Sequence, residues 1–300
     1  MLNLPAADAE ASGDAMSRGH GKTAFVLAGG GSLGAVQVGM LQELMRAGER
    51  PDLVIGSSVG ALNAAFFAGD PTADGVSKLA SVWRRMRRRD VFPFTLSSAI
   101  SWAGPAAALF NSARLRGLIE RNLDYANLED ARVPLHVVAT NLGGEAVRLS
   151  RGAVAEAVLA SAAIPAVFPA VEIDGVHLMD GALSGNTPIL TAAELGATRL
   201  IVLPTGFACT LDGPPRGAVA RGFHALTLLI AHQLTRDLAR LAGSVEVHTA
   251  PPLCPLAVTP FDFSQTDALI SRAAVQTRAW LIAGGLRNQK IPPGLEPHMH

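Results

Sequence analysis

The stretch "PDLVIGSSVGALNAAFFAG" (residues 51–69) moves from a short β-branched run, through a turn of small residues, into an apolar helical segment. At the turn, Gly56, Ser58 and Gly60 make a G-x-S-x-G pattern. As a bare pattern it occurs in many turns. Between a strand and a helix it describes a sharp elbow that projects a serine hydroxyl from the edge of a sheet. The flanking glycines suit that turn because side chains there would strike the neighbouring strand and helix. The first turn of the helix points its partial positive charge at the same hydroxyl.

Upstream, "TAFVLAGGGSLGAVQVGML" (residues 23–41) repeats the strand–turn–helix order, and Gly29, Gly31 and Gly34 fit G-x-G-x-x-G. Such a loop cradles an anion at a helix N-terminus. The anion is a dinucleotide pyrophosphate in one reading and an acyl-transfer oxyanion in another. The dinucleotide reading needs an acid at the end of the second strand. Asp52 lies at its start, and the strand end is occupied by the serine turn, so that reading loses ground. If both strands run parallel, the two glycine turns share one carboxyl edge. The N–H groups of Gly30, Gly31 and Ser32 then face a carbonyl attacked by Ser58.

Outward from these motifs, apolar runs at "VPLHVVAT", "TRLIVLP" and "SVEVHTA" read as strands. Segments near 35–45, 154–162, 189–195 and 217–241 read as helices. "VEIDGVHLMDG" reads as a hairpin turned by Asp174-Gly175. Alternating buried runs and helices predict an α/β fold around a mostly parallel sheet. The chain has 300 residues, 49% hydrophobic and 17% charged, which suits one large core. We expect a flexible lead-in over 1–22, one domain over 23–290 and a tail over 291–300. The lead-in lacks a basic region followed by an apolar one, so no secretory signal is expected. No run matches a membrane span. The expectation is a cytoplasmic protein. Equal numbers of acidic and basic residues, 25 each, supply no overall field for nucleic acid. Cys209 and Cys254 are expected to be free thiols, and neither they nor the histidines have ligand spacing, so no metal site or cofactor is expected.

A serine nucleophile needs a base. His136 falls inside a strand, His224 and His232 on a long helix, and His298 and His300 in the tail, none in a suitable turn. The acidic candidate is Asp180, in "HLMDGALSGNTPI", where Gly181 supports a tight turn before a helix.

Taken together and in order, "GGGSLG", "GSSVG" and "DGA" resemble the patatin-like phospholipase family of serine lipid acyl hydrolases. "ASAAIPAVFPAVEIDGVHLMDGAL" is similar to that family's A-S-x-x-x-P-x-x-F-P segment and hairpin. The likeness is carried by residues 23–204. It implies a three-layer α/β/α sandwich, a modified α/β-hydrolase-like sheet. It also implies a Ser-Asp dyad without histidine: Ser58 as nucleophile, Asp180 as general base, and Gly29, Gly30, Gly31, Ser32 and Gly34 framing the oxyanion hole. Many members carry Arg or Lys where this chain has Leu33, so the oxyanion would rely on backbone donors. Lipid or other acyl-ester substrates are implied. An acyltransferase or thioesterase would use the same acyl-enzyme, and a non-catalytic scaffold leaves the two motifs without a shared purpose.

"SKLASVWRRMRRRDVFPFTLSSAISW" joins Arg84, Arg85, Arg87, Arg88 and Arg89 to Trp83, Phe92, Phe94 and Trp102. Arginines beside aromatics suit the surface of an anionic bilayer, at about 1 kcal/mol per basic residue. A charge run is usually a solvated helix end followed by a loop packed on the core; peripheral membrane contact through these arginines and Trp102 is the alternative.

Overall fold

The computed structural model describes residues 21–92, 112–206, 209, 218–288, 292 and 295. Residues 1–20 of the expected 1–22 lead-in and nearly all of the expected tail lie outside the described residues, as do Phe94, Trp102, His298 and His300. The side chain of His224 is likewise not described.

Five residues, Thr23–Leu27, form β1, buried along their whole length. A 3-10 turn over Gly31–Gly34 leads into helix α1 at Ala35–Arg46. Strand β2 (Leu53–Ser57) feeds α2 (Val59–Gly69) with only Ser58 between them. Helix α3 (Ala73–Arg85) follows, capped by Thr72, whose Oγ1 accepts the Gly75 N–H at 3.0 Å. Its buried Val76, Leu79, Ala80 and Trp83 recur at helical spacing and define one apolar face. After the short α4 (Arg88–Val91) come α5 (Ala113–Asn122), β3 (Leu135–Asn141), β4 (Ala146–Leu149) and α6 (Val154–Ser161). The hairpin β5 (Val171–Ile173) and β6 (Val176–Met179) turns at Asp174-Gly175, as the sequence predicts. The remaining elements are α7 (Ala182–Gly185), α8 (Ile189–Glu194), β7 (Arg199–Leu203), α9 (Ala218–Leu241), β8 (Glu246–Thr249) and α10 (Thr266–Ile282).

Among the described residues eight strands form one sheet in the order β5-β6-β3-β2-β1-β7-β8, with β4 also paired to β3. Pairing is parallel from β3 across to β8 and antiparallel where β4, β5 and β6 join. Strand β1 is central, flanked by β2 and β7. Side chains on it alternate between two cores. Phe25 and Leu27 face a large cluster with α1, α2, α3, α6 and α10, while Ala24 and Val26 face a second cluster with α8 and α9. Burial on both faces explains why this strand reads as an unbroken apolar run. The arrangement is the expected three-layer α/β/α sandwich.

Helix α10 packs on α1 through a narrow stripe of Thr266, Leu269, Ile270, Ala273 and Thr277. Buried Glu43 of α1 accepts from Arg278 at 2.9 and 3.0 Å and also pairs with Arg46. The hydrogen bond from Arg278 is the main cause that holds its carboxyl below the ordinary value, against the opposing effect of burial. Cys209 and Cys254, 45 residues apart in sequence, place their sulfurs 3.9 Å from each other.

Candidate active site

The register Leu27↔Gly56 sets the ends of β1 and β2 side by side, so both glycine turns leave the sheet at one edge. At that edge Ser58 adopts φ 54° and ψ −124°, a conformation that costs on the order of 1–3 kcal/mol and is held by its surroundings. Gly60 is required there by close approach. A Cβ would lie 2.2 Å from the Leu27 carbonyl oxygen. Gly56 backs onto the same turn, within 2.3 Å of the Gly60 carbonyl oxygen for an added Cβ. The Ser58 N–H donates to Ser161 Oγ at 2.8 Å, and that hydroxyl donates to the Val138 carbonyl at 2.5 Å. Ser161, at the end of α6, thus clamps the turn to β3. The sequence reading assigned it no role, although it lies in the quoted "ASAAIP" segment.

Asp180 arrives from the other side of the sheet order, directly after β6. Its position is fixed by hydrogen bonds from Asp180 N–H to the Ala163 carbonyl (3.0 Å) and from the Thr140 hydroxyl to the Asp180 carbonyl (2.8 Å). Gly181 follows with its N–H on the Ser161 carbonyl at 3.0 Å. The Ser58 hydroxyl donates to Asp180 Oδ2 at 2.7 Å, and Ala182 N–H donates to Oδ1 at 2.8 Å. The carboxyl is 3% exposed. Burial pushes it up to about 6, outweighing the two hydrogen bonds that favour the ionised form.

The glycine loop closes the third side. Gly29 donates its N–H to the Asn186 carbonyl (3.0 Å), and its own carbonyl accepts from Thr205 Oγ1 (2.6 Å). Gly31 has φ +58°, and an added Cβ would lie 2.4 Å from the Pro260 carbonyl oxygen. Ser32 departs from the expectation of an oxyanion donor: its N–H is taken by the Pro260 carbonyl at 2.8 Å and its Oγ donates to the Thr259 carbonyl at 3.0 Å. Gly34 instead packs against Val59 and Trp83. Among the described residues, the N–H groups of Gly30 and Gly31 meet no acceptor, and both glycines line a cavity shared with Ser58 and Asp180.

Behind the loop runs a buried polar chain. Trp83 Nε1 donates to Asn63 Oδ1, and Asn63 Nδ2 to Gln37 Oε1 and the Gly34 carbonyl. Gln37 Nε2 in turn donates to the carbonyls of Ala28 and Leu203, all within 2.8–2.9 Å. Every member is satisfied, so the chain fixes the loop at little cost.

The cavity measures about 140 Å³, and its walls are mainly apolar: Leu33, Phe92, Ile164, Leu183, Leu234 and Phe261 among others. Among the described residues no histidine is on these walls. His136 lies on β3 beside Arg148, and burial lowers it to about 4; His232 is exposed. Asp52 accepts the Thr23 N–H at 2.7 Å, at the sheet edge opposite the glycine loop, where no ribose bound at that loop could reach it.

Against the sequence of this chain, the family model described as patatin-like phospholipase matches residues 25–193, which include Ser58, Asp180 and both glycine turns. This chain belongs to the patatin-like phospholipase family. Similar curated proteins include patatin-like phospholipase domain-containing protein 6 of Mus musculus, 28% identical over 186 residues. Neuropathy target esterase sws of Drosophila melanogaster is 26% identical over 185 residues. Each match covers 61% of this chain and 13% of the relative, so the chain corresponds to a small part of those proteins. Among solved structures, human GIVD cytosolic phospholipase A2, in complex with methyl gamma-linolenyl fluorophosphonate, overlays 90% of this chain and 59% of its own. That match has 11% identity and a TM-score of 0.48. VipD from Legionella pneumophila overlays 88% of this chain and 67% of its own at 15% identity, with a TM-score of 0.45.

The basic cluster does not form a single face. Arg84, Arg87, Arg88 and Arg89 line one groove, whereas Arg85 lines another with Arg114 and Arg121. Trp83 and Phe92, at a membrane edge in the membrane reading of this stretch, are instead buried at 1% and 4% exposure. Trp83 sits on the apolar face of α3 with its N–H bonded to Asn63, and Phe92 stacks on Phe168. Among the described residues no helix is long and apolar enough to cross a membrane.

Proposed function

We propose that residues 23–290 form a single catalytic domain that hydrolyses acyl esters of lipids. The observation that carries this reading is the buried 2.7 Å hydrogen bond from Ser58 Oγ to Asp180 Oδ2 at the wall of an apolar cavity. Family membership supports a lipid ester as the substrate.

In the reaction, the Ser58 hydroxyl oxygen attacks the ester carbonyl carbon while its proton passes to Asp180 Oδ2. With its carboxyl raised to about 6, Asp180 is a stronger base than an ordinary aspartate yet remains about nine-tenths ionised at pH 7. The carbonyl oxygen becomes an oxyanion and accepts from the N–H groups of Gly30 and Gly31, with the first turns of the two following helices adding favourable potential. Each such donor contributes on the order of 3 kcal/mol. Collapse breaks the bond to the alcohol, which leaves with the proton held by Asp180, and Ser58 remains acylated. Water then attacks the acyl-serine, giving its proton to Asp180. On release of the acid that proton returns to Ser58. The leaving alcohol and the entering water use the same carboxylate in turn.

Peripheral contact with anionic membranes through Arg84, Arg87, Arg88 and Arg89, which line one groove beside the apolar cavity, is part of this proposal, because they would present the site to a lipid surface. The protein would then work in the cytoplasm, at a membrane face.

Labelling with a fluorophosphonate tests the central claim. A covalent adduct mapped to Ser58, lost in Ser58→Ala, with release of fatty acid from a lipid panel, is the expected result. Unchanged labelling or turnover of p-nitrophenyl butyrate in Ser58→Ala would overturn it.

A further inference from the structure

The two cysteines of the chain stand on the segments that follow β7 and β8, and the same two segments hold the glycine loop. Cys209 comes four residues after Thr205, whose hydroxyl donates to the Gly29 carbonyl at 2.6 Å. Cys254 comes five residues before Thr259 and six before Pro260, whose carbonyls accept from the Ser32 hydroxyl and N–H. The sulfurs lie 3.9 Å apart, in contact and unbonded.

Their approach is built into the fold. The Cys209 N–H donates to the Leu256 carbonyl at 2.9 Å, and the Leu256 N–H donates back to Cys209 Sγ at 3.3 Å. Helix α10 pins the chain on either side of the other thiol: Gln276 donates to the Pro252 carbonyl at 3.0 Å and Arg272 to the Pro255 carbonyl at 2.7 Å. Cys209 is 3% exposed and Cys254 is half-buried, so an oxidant in solution meets Cys254 first. In a reducing compartment such a pair rests as thiols, and a disulfide formed there is usually transient or redox-sensing.

We propose that Cys209 and Cys254 are a reversible oxidation site, a dithiol that closes to a disulfide by exchange with a low-molecular-weight disulfide and loosens the glycine loop as it does so. In the exchange, the Cys254 thiolate attacks one sulfur of glutathione disulfide and releases one glutathione. The Cys209 thiolate then attacks the Cys254 sulfur of the mixed disulfide and releases the second. One S–S bond breaks and one forms; two electrons pass from the cysteines to glutathione, and the two thiol protons end on the released glutathiones.

A sulfur–sulfur bond is about 2 Å long, so the two side chains must draw together. Cys209 Sγ then no longer serves the Leu256 N–H, and the stretch running on to Thr259 and Pro260 loses that tie. Ser32 loses its fixed support, and the neighbouring Gly30 and Gly31 amides lose their aim. The effect on turnover rests on the reading of Ser58 as nucleophile; the cross-link and the loosening do not.

The test treats the full chain with glutathione disulfide at about pH 8, because burial, followed by the hydrogen bond with Cys209, pushes the Cys254 thiol up. Digestion without reduction should yield a peptide pair joined through Cys209 and Cys254 and separated again by dithiothreitol. In the oxidised protein, hydrogen exchange over residues 29–33 should be about tenfold faster and p-nitrophenyl butyrate turnover about tenfold lower. Cys254→Ser, treated alike, should show neither change and should match the unsubstituted chain before oxidation. Should that variant fail to melt cooperatively, Cys254→Ala takes its place. Glutathione adducts without the cross-link would overturn the proposal. So would a cross-linked protein with unchanged exchange, or one that turns over ester as fast as an active reduced chain. A cross-link with faster exchange in a chain that hydrolyses no ester even when reduced would count against Ser58 as nucleophile and leave the oxidation site standing.

Discussion

Ser58 and Asp180 lie 122 positions apart in the chain, yet share a 2.7 Å hydrogen bond because β2 and β6 both end beside β3. The carboxylate uses its second oxygen to accept the Ala182 N–H, so its orientation is fixed before any substrate enters. A base held in this way has its protonation set by burial, and that has measurable consequences.

The first is the pH dependence of catalysis. Only the ionised carboxylate accepts the Ser58 proton, and the group is raised to about 6. We expect kcat/KM for p-nitrophenyl butyrate to fall about tenfold per pH unit below roughly 6 and to level off above it. A profile flat down to pH 4.5 would remove Asp180 as the base.

The same burial predicts a gain in stability on losing the charge. Between the ordinary aspartate value of 3.8 and about 6, the folded protein holds a proton that the unfolded chain releases. The contribution of this group to stability is therefore fully present at low pH and is lost as pH rises through that window. Asp180→Asn cannot ionise and keeps an acceptor for Ala182 N–H. It should match the unsubstituted protein below pH 4 and exceed it by roughly 3 kcal/mol at pH 8, since a shift of about two units corresponds to that much. Denaturant titrations at the two pH values check this, and p-nitrophenyl butyrate turnover should be lost in the same variant.

Ser161→Ala removes the acceptor of the Ser58 N–H and the donor to the Val138 carbonyl together. Leaving a buried N–H unpaired costs about 1–3 kcal/mol. We expect a loss of that size in chemical denaturation and a kcat lowered by about tenfold, because the strained Ser58 backbone loses its clamp. Ser161→Cys, a weaker acceptor of similar shape, should fall between the two.

At the glycine loop, Gly31→Ala brings a Cβ within 2.4 Å of the Pro260 carbonyl oxygen at a φ of +58°. The loop must shift, displacing both candidate oxyanion donors. The expected outcome is a kcat loss of 10²-fold or more, with a smaller change in KM, as for removal of an interaction formed mainly in the transition state. Full activity in this variant would exclude the Gly30 and Gly31 amides from the reaction.

Much of this site is legible in the sequence because local physics writes it there. Small residues at 29–34, 56–60 and 181 mark places where backbones approach closely, and the runs beside them mark strands buried on both faces. The Asp174-Gly175 turn likewise announces its hairpin. Long-range partners leave a weaker trace. Thr205, Asn186 and Ser161 are ordinary polar residues whose importance comes from carbonyls and amides that only the tertiary fold brings near. Helix α10 is hard to read for another reason: its buried stripe is narrow and partly polar, while Val275 and Ile282 are 68% and 81% exposed, so the apolar period is blurred. Trp83 misleads in the opposite sense, since neighbouring arginines mask its place on the inner face of α3. The expectation for Ser32 fails because a backbone amide is available only until a distant loop, here Thr259–Pro260, claims it.

The pairing of β6 with β3 at Thr140↔Met179 and Asn141↔Leu178 makes the chemistry depend on odd and even. Successive side chains along a strand point to opposite sides. One residue inserted within Val176–Met179 would swing the carboxylate to the far side of the sheet, whereas an insertion at the Asp174-Gly175 tip would lengthen a loop and leave the count intact. Tolerance to insertion should therefore change abruptly over a few positions of this hairpin, with the tip permissive and the last strand not.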